Sequence, residues 1–239
     1  MSSNLVAFII GAGSNIGDAV AAKLREQDYK VALGSRNPKV DGKAKGHYFP
    51  VKVDAQSKES VLAAFESVSK ELGPVNVVVY NVGGQYPPPN PKDFLSIPLD
   101  DYFKQSAVGL NAYTAAQAAL PGFRDPVHKN HPKAFIVTGN ILVYNWVSSA
   151  LHWHTLGIQK TLEARLIATS AGAYEEEGIK FYYAFLVGRD GGIPDYDEEF
   201  LKSGPIHADV YWKLIDGEKK HWEQRFDLDG KKFPHEERL

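Results

Sequence analysis

Short apolar runs alternate with stretches of helical spacing along most of the chain. Leu5–Ile10, Lys30–Gly34, the alternating Phe49, Val51 and Val53, Val75–Tyr80, Ala134–Thr138 and Ile179–Phe185 read as strands. Asp18–Gln27, Glu59–Leu72 with apolar Val61, Leu62, Phe65 and Val68, Asp101–Phe123, and a long segment that begins near Lys160 and reaches about Tyr174 read as helices. Strand–helix alternation predicts parallel strands joined by crossover helices. Right-handed crossovers then give one doubly wound α/β domain spanning residues 1–239.

Two segments break the rhythm. Asn81–Asp100 holds five prolines and reads as a stiffened surface loop. Leu186–Gly204 is acidic, carries Gly and Pro, and precedes a short helix at about Pro205–Ile215. Long irregular segments in compact domains are often lids, so residues 186–221 are expected to form an irregular C-terminal cap over the substrate. The end, "WEQRFDLDGKKF", has a DG turn between two short runs and reads as a small hairpin or an edge strand.

Composition narrows the partners. A net charge of −2 with no block of like charges argues against nucleic acid and anionic membranes. No apolar run approaches the roughly 20 residues of a membrane helix, and Leu5–Ile10 makes a poor signal peptide because it is short and runs into glycines. With no cysteines there is no thiolate nucleophile or thiolate metal site. The scattered His, Asp and Glu residues lack metal-ligand spacing, so no metal is expected. A cytoplasmic protein acting on a small molecule fits these totals.

The strongest chemical signal is "GAGSNIG", between the first strand and the first helix. Gly11 permits a tight turn, Gly13 lets the backbone approach a pyrophosphate, and Gly17 lets the helix pack close to the sheet. Ser14, Asn15 and Ile16 complete the turn, where a helix N-terminus offers free N–H groups. The plain alternative is a glycine turn that binds nothing. The second strand ends in Ser35 and Arg36 and offers no carboxylate. A guanidinium grips a 2′-phosphate that a carboxylate would repel, so NADP(H) is expected over NAD(H). A solvated loop arginine is the alternative for Arg36.

These residues resemble the short-chain dehydrogenase/reductase family over roughly residues 4–185. The resemblance implies a Rossmann-type sheet and a nicotinamide dinucleotide. Asn15 stands where the family has its middle glycine, a substitution that an Asn tolerant of positive φ allows. Asp54 matches the aspartate that contacts the adenine amine. Asn81, Val82 and Gly83 look like the Asn-Asn-Ala-Gly segment that lines the cofactor. "AAQAALPGF" (Ala115–Phe123) resembles the end of the family's interface helix, which implies a homodimer or homotetramer.

The catalytic positions depart from the pattern. The asparagine place falls on Val108, with Asn111 a turn away; the serine place falls on Asn140 or Ile141; the tyrosine place is Leu156; Lys160 matches. The resemblance implies that Lys160 holds the nicotinamide ribose. A leucine is neither a general acid nor an oxyanion donor, so ordinary ketone reduction by the tyrosine route is not expected. Asn140, Tyr144, His152 or His154 could supply a hydrogen bond or proton instead, although a tyrosine in such a loop is more often packing and Asn140 could simply cap the chain. A substrate needing no acid, such as an iminium ion, is a second route; Tyr86, Trp146, Trp153 and Tyr144 are aromatic faces for a cation, and Leu156 and Leu186 apolar walls. The expected function is a non-standard NADPH-dependent reductase of a small organic intermediate, of the kind found in secondary metabolism. The alternatives are a non-redox isomerase or cyclase on the same scaffold and a catalytically silent nucleotide-binding protein.

Overall fold

The computed structural model describes residues 4–38, 47–144, 151–195 and 200–235. Its strands are β1 (Val6–Ile10), β2 (Lys30–Ser35), β3 (Phe49–Lys52), β4 (Val77–Tyr80), β5 (Ala134–Thr138), β6 (Lys180–Leu186), β7 (Glu223–Phe226) and β8 (Lys232–Phe233). The helices are α1 (Ile16–Glu26), α2 (Lys58–Leu72), α3 (Leu99–Phe123), α4 (His154–Ala173) and α5 (Gly204–Asp216). They form one sheet in the order β3-β2-β1-β4-β5-β6-β7-β8. All neighbours are parallel except β7 and β8. This is the expected doubly wound α/β architecture. Its strand order reverses between β1 and β4, which opens a crevice at the carboxyl ends of the strands.

Why the strands read as unbroken apolar runs is plain from the core. Successive side chains of a strand point to opposite faces. Val6, Phe8 and Ile10 of β1 pack into one cluster with side chains of α2, α3 and α4. Ala7 and Ile9 pack into a second cluster with side chains of α1 and α5. Helices cover both faces, so no strand position can be polar without a partner. Full burial of side chains the size of Phe8, Phe135 or Phe181 contributes roughly 1.5–3 kcal/mol each. One buried polar residue with such partners is Asn76, before β4: its Oδ1 accepts from Val6 N at 2.7 Å and its Nδ2 donates to the Pro132 carbonyl at 2.8 Å, tying three strand starts together.

Of residues 186–221, Leu186, Pro194, Ser203 and His207 line the crevice, and the expected short helix is α5. Leu186 ends β6, and α5 is a full member of the helix layer, with Ala208, Val210, Tyr211, Leu214 and Ile215 buried against the sheet. The expected hairpin is formed by β7 and β8: β8 is the edge of the sheet, and β7 pairs parallel with β6 on one side and antiparallel with β8 on the other. All four residues of β7, EQRF, are buried; Glu223 Oε1 accepts from the Tyr144 hydroxyl and Arg225 Nη2 donates to the Gly191 carbonyl.

Candidate active site

The crevice holds two adjoining cavities that share Asn81, Val82 and Gly83. One, the adenosine end, runs from that shared segment over Ile10, Gly11, Ala12 and Gly13 to Ser35, Arg36, Asp54 and Gln56. The other, the reaction end, runs past Asn15, Ile16, Thr138, Asn140, Leu156 and Lys160 to Leu186, Pro194, Ser203 and His207.

At the adenosine end the backbone sets the shape. Gly11 has φ +88°, and a Cβ there would collide with the Asn81 carbonyl. Only glycine accepts both conditions. Gly11 N and Ala12 N donate to the Gly34 carbonyl at 2.9 and 3.0 Å, and Asn81 Nδ2 donates to the Gly11 carbonyl at 2.9 Å. The turn is thus bolted to β2 and to the loop after β4. Gly13 stands exposed above it, with no atom within 4 Å of where a Cβ would sit. That opening is what the approach of a pyrophosphate to the backbone requires. Asn15 does not need the left-handed conformation allowed for it: its φ is −106°. Nor does its side chain cap α1. Its Oδ1 accepts instead from Gly204 N at 2.7 Å, joining α5 to the turn and leaving the first turn of α1 without a side-chain cap. Arg36 is exposed and Ser35 and Asp54 half-buried; Asp54 Oδ1 accepts from Gln56 N at 3.0 Å. Gly17 is buried against Ala12, where helix and turn meet, and Ser14 is exposed at the turn's tip.

At the reaction end, side chains set the shape. The helices α3 and α4 approach so closely that a Cβ on Gly109 would lie 2.7 Å from the Gln159 carbonyl oxygen. The buried Gln159 amide then clamps the Gly84 backbone: Gly84 N donates to Oε1 at 3.0 Å and Nε2 donates to the Gly84 carbonyl at 2.8 Å. This fixes the next residue, Lys160. Its ammonium donates to the Val82 carbonyl at 2.7 Å, the Thr138 carbonyl at 3.0 Å and Glu163 Oε2 at 2.8 Å. An ammonium has three protons, and these partners take all three. Leu156 lies one turn earlier beside the lysine: a Cβ on Gly83 would sit 3.3 Å from Leu156 Cδ1 and 3.8 Å from Lys160 Cε. Leu156 thus presents an apolar wall to the cavity beside Lys160.

Two more titratable groups belong to this end. Glu163 is fully buried; burial pushes its carboxyl up to about 7, against the opposing pull of the Lys160 ammonium. His207 is also buried, and loss of hydration lowers its pKa to about 4 in spite of its bond to the Ser203 carbonyl at 2.9 Å. Since a carbonyl only accepts, Nδ1 carries the proton, and the neutral ring has Nε2 as an acceptor.

The expected catalytic and aromatic residues fare unevenly. Asn140 lines the reaction end, but its Oδ1 caps the following 3₁₀ turn by accepting from Leu142 N at 3.0 Å. Tyr144 is corrected: it is buried in the core, and its hydroxyl donates to Glu223 Oε1 at 2.6 Å, away from the crevice. Tyr86 lines neither cavity; its hydroxyl pairs with Asp101. Trp153 likewise lines neither, at the start of α4. His154 packs on Phe94 and Tyr102, with ring centroids at 4.8 and 5.9 Å, and His152 is exposed. Trp146 lies outside the described residues. Val108 lines the adenosine end, and Asn111 donates from Nδ2 to the Ala55 carbonyl at 2.8 Å.

Sequence reasoning missed Glu163, Gln159, Ser203 and His207. The first two carried a signal: polar residues one before and three after Lys160 share the face of α4 that the lysine needs. Nothing local marked His207, which reaches the site only because α5 packs on α1.

The cavities fit a dinucleotide on three counts: a positive-φ glycine turn, open space above Gly13, and a continuous crevice past the strand ends. Comparison with known proteins agrees on the lineage. The sequence pattern of the short chain dehydrogenase family matches residues 5–125. A short chain dehydrogenase/reductase, dmxR12, of Cryptosporiopsis sp. (strain 8999) is 31% identical over 238 residues, covering 95% of this chain and 92% of that protein. An uncharacterised oxidoreductase of Staphylococcus aureus (strain USA300) is 29% identical over 174 residues, covering 66% of this chain and 71% of that protein. Among solved structures, a 3-ketoacyl-(acyl-carrier-protein) reductase of Brucella melitensis complexed with NADH superposes with a TM-score of 0.76 at 16% identity, covering 95% of this chain and 98% of that one. A blue fluorescent protein from a metagenomic library, in complex with NADPH, gives 0.70 at 19% identity over 95% and 96%. The fold, the glycine turn and the near full-length relative together make this chain a member of the short-chain dehydrogenase/reductase family.

Proposed function

We propose that the chain is an NADPH-dependent reductase that works without a tyrosine proton donor, on a small, partly apolar organic substrate such as an iminium or conjugated intermediate of secondary metabolism. The observation that carries this reading is the state of Lys160: its three protons are engaged inside the fold, and Leu156, not a hydroxyl, stands beside it. Gly11, Gly13, Ser14, Asn15, Ile16, Gly17, Asn81, Val82 and Gly83 would hold the dinucleotide, with Asp54 toward the adenine and Ser35 and Arg36 toward a 2′-phosphate. Bound there, a reduced nicotinamide supplies hydride, which neutralises an iminium carbon without calling for a proton. Leu156 and Leu186 would give the substrate apolar walls, and Asn140 a polar group at the mouth. The exposed Leu99, Phe103, Leu110 and Tyr113 along α3, with Leu162 on α4, would pair with a second copy in a homodimer or homotetramer. No helix of the described residues is long and apolar enough to cross a membrane, and a cytoplasmic location suits an enzyme of this kind.

The test is nucleotide binding followed by turnover. NADPH should bind more tightly than NADH, and Arg36→Asp should weaken NADPH far more than NADH; equal losses would overturn the 2′-phosphate assignment. Stereospecific hydride transfer to a cyclic iminium, with simple ketones inert, supports the reductase. Product formed with no change in NADPH absorbance would replace it with the isomerase or cyclase reading, which the withdrawn Lys160 ammonium also accommodates.

A further inference from the structure

Glu163 is the least explained charge in the described structure. Its side chain is fully buried, one oxygen pairs with Lys160, and the other, Oε1, has no hydrogen-bond partner. The hydroxyls of Tyr80 and Tyr183 lie close enough to feel its charge, yet they donate elsewhere, to the carbonyls of Val108 and Asn140. A buried pair with one orphaned oxygen is a weak way to stabilise a fold; apolar residues of similar volume usually do as well or better. The carboxylate therefore calls for a use.

Its place suggests one. Among the described residues lining the reaction end, Lys160 alone is charged near neutral pH, because His207 is held neutral. A lone ammonium would repel any cation brought into that end. At ~6 Å and an effective dielectric near ~20, the repulsion alone weakens binding roughly a hundredfold. Above about pH 7, where the Glu163 carboxyl is ionised, the ammonium faces a carboxylate and two carbonyl oxygens, which offset its field toward the cavity.

We propose that Glu163 is a positioning residue that neutralises Lys160 from behind and so fits the reaction end to a positively charged ring or substrate. The proposal rests on the dinucleotide reading above and names the charge class that the end admits: with its ammonium neutralised, it takes a cation without the repulsion that a lone lysine would impose.

Oxidised and reduced nucleotides form a ready pair of probes. NADP+ and NADPH share every group except the nicotinamide ring, which is cationic in one and neutral in the other. The ratio of their dissociation constants isolates the charge at the reaction end. Damage to the fold or to the adenosine end acts on both ligands and leaves the ratio alone. In E163Q the unpaired ammonium should weaken NADP+ relative to NADPH by about tenfold or more. The double variant K160M/E163L removes both charges, tolerates burial, and should return the ratio to within about twofold of the wild type. As a second arm, competition by the N-methyl-3,4-dihydroisoquinolinium cation, measured relative to its uncharged carbon analogue 3-methyl-1,2-dihydronaphthalene, should weaken by about tenfold on going from the wild type to E163Q. If E163Q does not fold, E163M replaces it and is read in the same way: a ratio turned against NADP+ by about tenfold supports the proposal, and an unchanged ratio overturns it. An unchanged ratio in folded E163Q overturns it outright. Failure of the wild type to bind either nucleotide removes the dinucleotide reading and this proposal together.

Discussion

The two ends of the crevice are built by different means. At the adenosine end, backbone groups do the work: a positive-φ glycine, carbonyls that receive Gly11 N and Ala12 N, and an asparagine amide that returns to the turn. At the reaction end, side chains do it: a lysine tied to three acceptors, a leucine wall and a neutral histidine. A backbone-built site constrains only where glycine must stand, so it persists while the rest of the sequence drifts. A side-chain site changes its chemistry with single substitutions. The difference would let one crevice keep its glycine turn while the side chains at its other end change.

The sharpest way to break this comparison is Gly11→Ala. The residue must hold φ +88° and stay clear of the Asn81 carbonyl, and alanine does neither. Strain of about 1–2 kcal/mol for the left-handed backbone adds to the collision, so a loss of at least about 3 kcal/mol in urea unfolding is expected, with nucleotide binding lost as well. A folded Gly11→Ala protein that binds nucleotide normally would mean that the turn is not a backbone-built cradle.

The same division decides what the sequence could reveal. The sheet was legible because both faces of each strand are covered, which turns β1, β4, β5 and β6 into unbroken apolar runs. The adenosine end was legible because glycine spacing reports backbone geometry directly. At the reaction end the sequence pointed to Lys160 and Leu156 through a resemblance alone, and both line that cavity. Tyr144 misled because a tyrosine after β5 can turn to the crevice or to the core, and only packing with Glu223 decides which. His207 and the burial of β7 were hidden for a related reason: both depend on partners far away in the chain. The polar residues of β7 are covered only when Tyr144, Gly191 and β8 are brought against them.

A neutral buried histidine at the reaction end gives that end an acid weakness. The folded His207 titrates at about 4, below its ordinary 6.5. Between those values the unfolded chain binds a proton that the folded chain refuses, so stability is intact above about pH 6.5 and falls as pH drops toward 4. The shift corresponds to roughly 3 kcal/mol at the acid limit. His207→Asn keeps a donor for the Ser203 carbonyl and has nothing to titrate. Measured by urea unfolding at several pH values, the wild type should lose stability relative to the variant across that window. Parallel curves would show that the imidazole is protonated in place, and the reaction end would then carry a second positive charge.

The smallest expected effect on the fold separates the cradle from the scaffold. Gly13 lies one step from Gly11 but shares neither of its constraints: its φ is not positive, and no atom lies within 4 Å of where its Cβ would be. Gly13→Ala should therefore change stability by no more than about 0.5 kcal/mol, and could raise it slightly by restricting the unfolded chain. The methyl group would nevertheless stand in the space through which a phosphate must approach the turn. Nucleotide affinity should fall by roughly tenfold, as seen by fluorescence titration, with NADP+ and NADPH losing equally because the change is far from the ring. That equality is what sets it against substitutions around Lys160. A Gly13 variant that altered the ratio of the two nucleotides would show that the ends of the crevice are coupled, and the contrast between a backbone-built and a side-chain-built half would no longer hold.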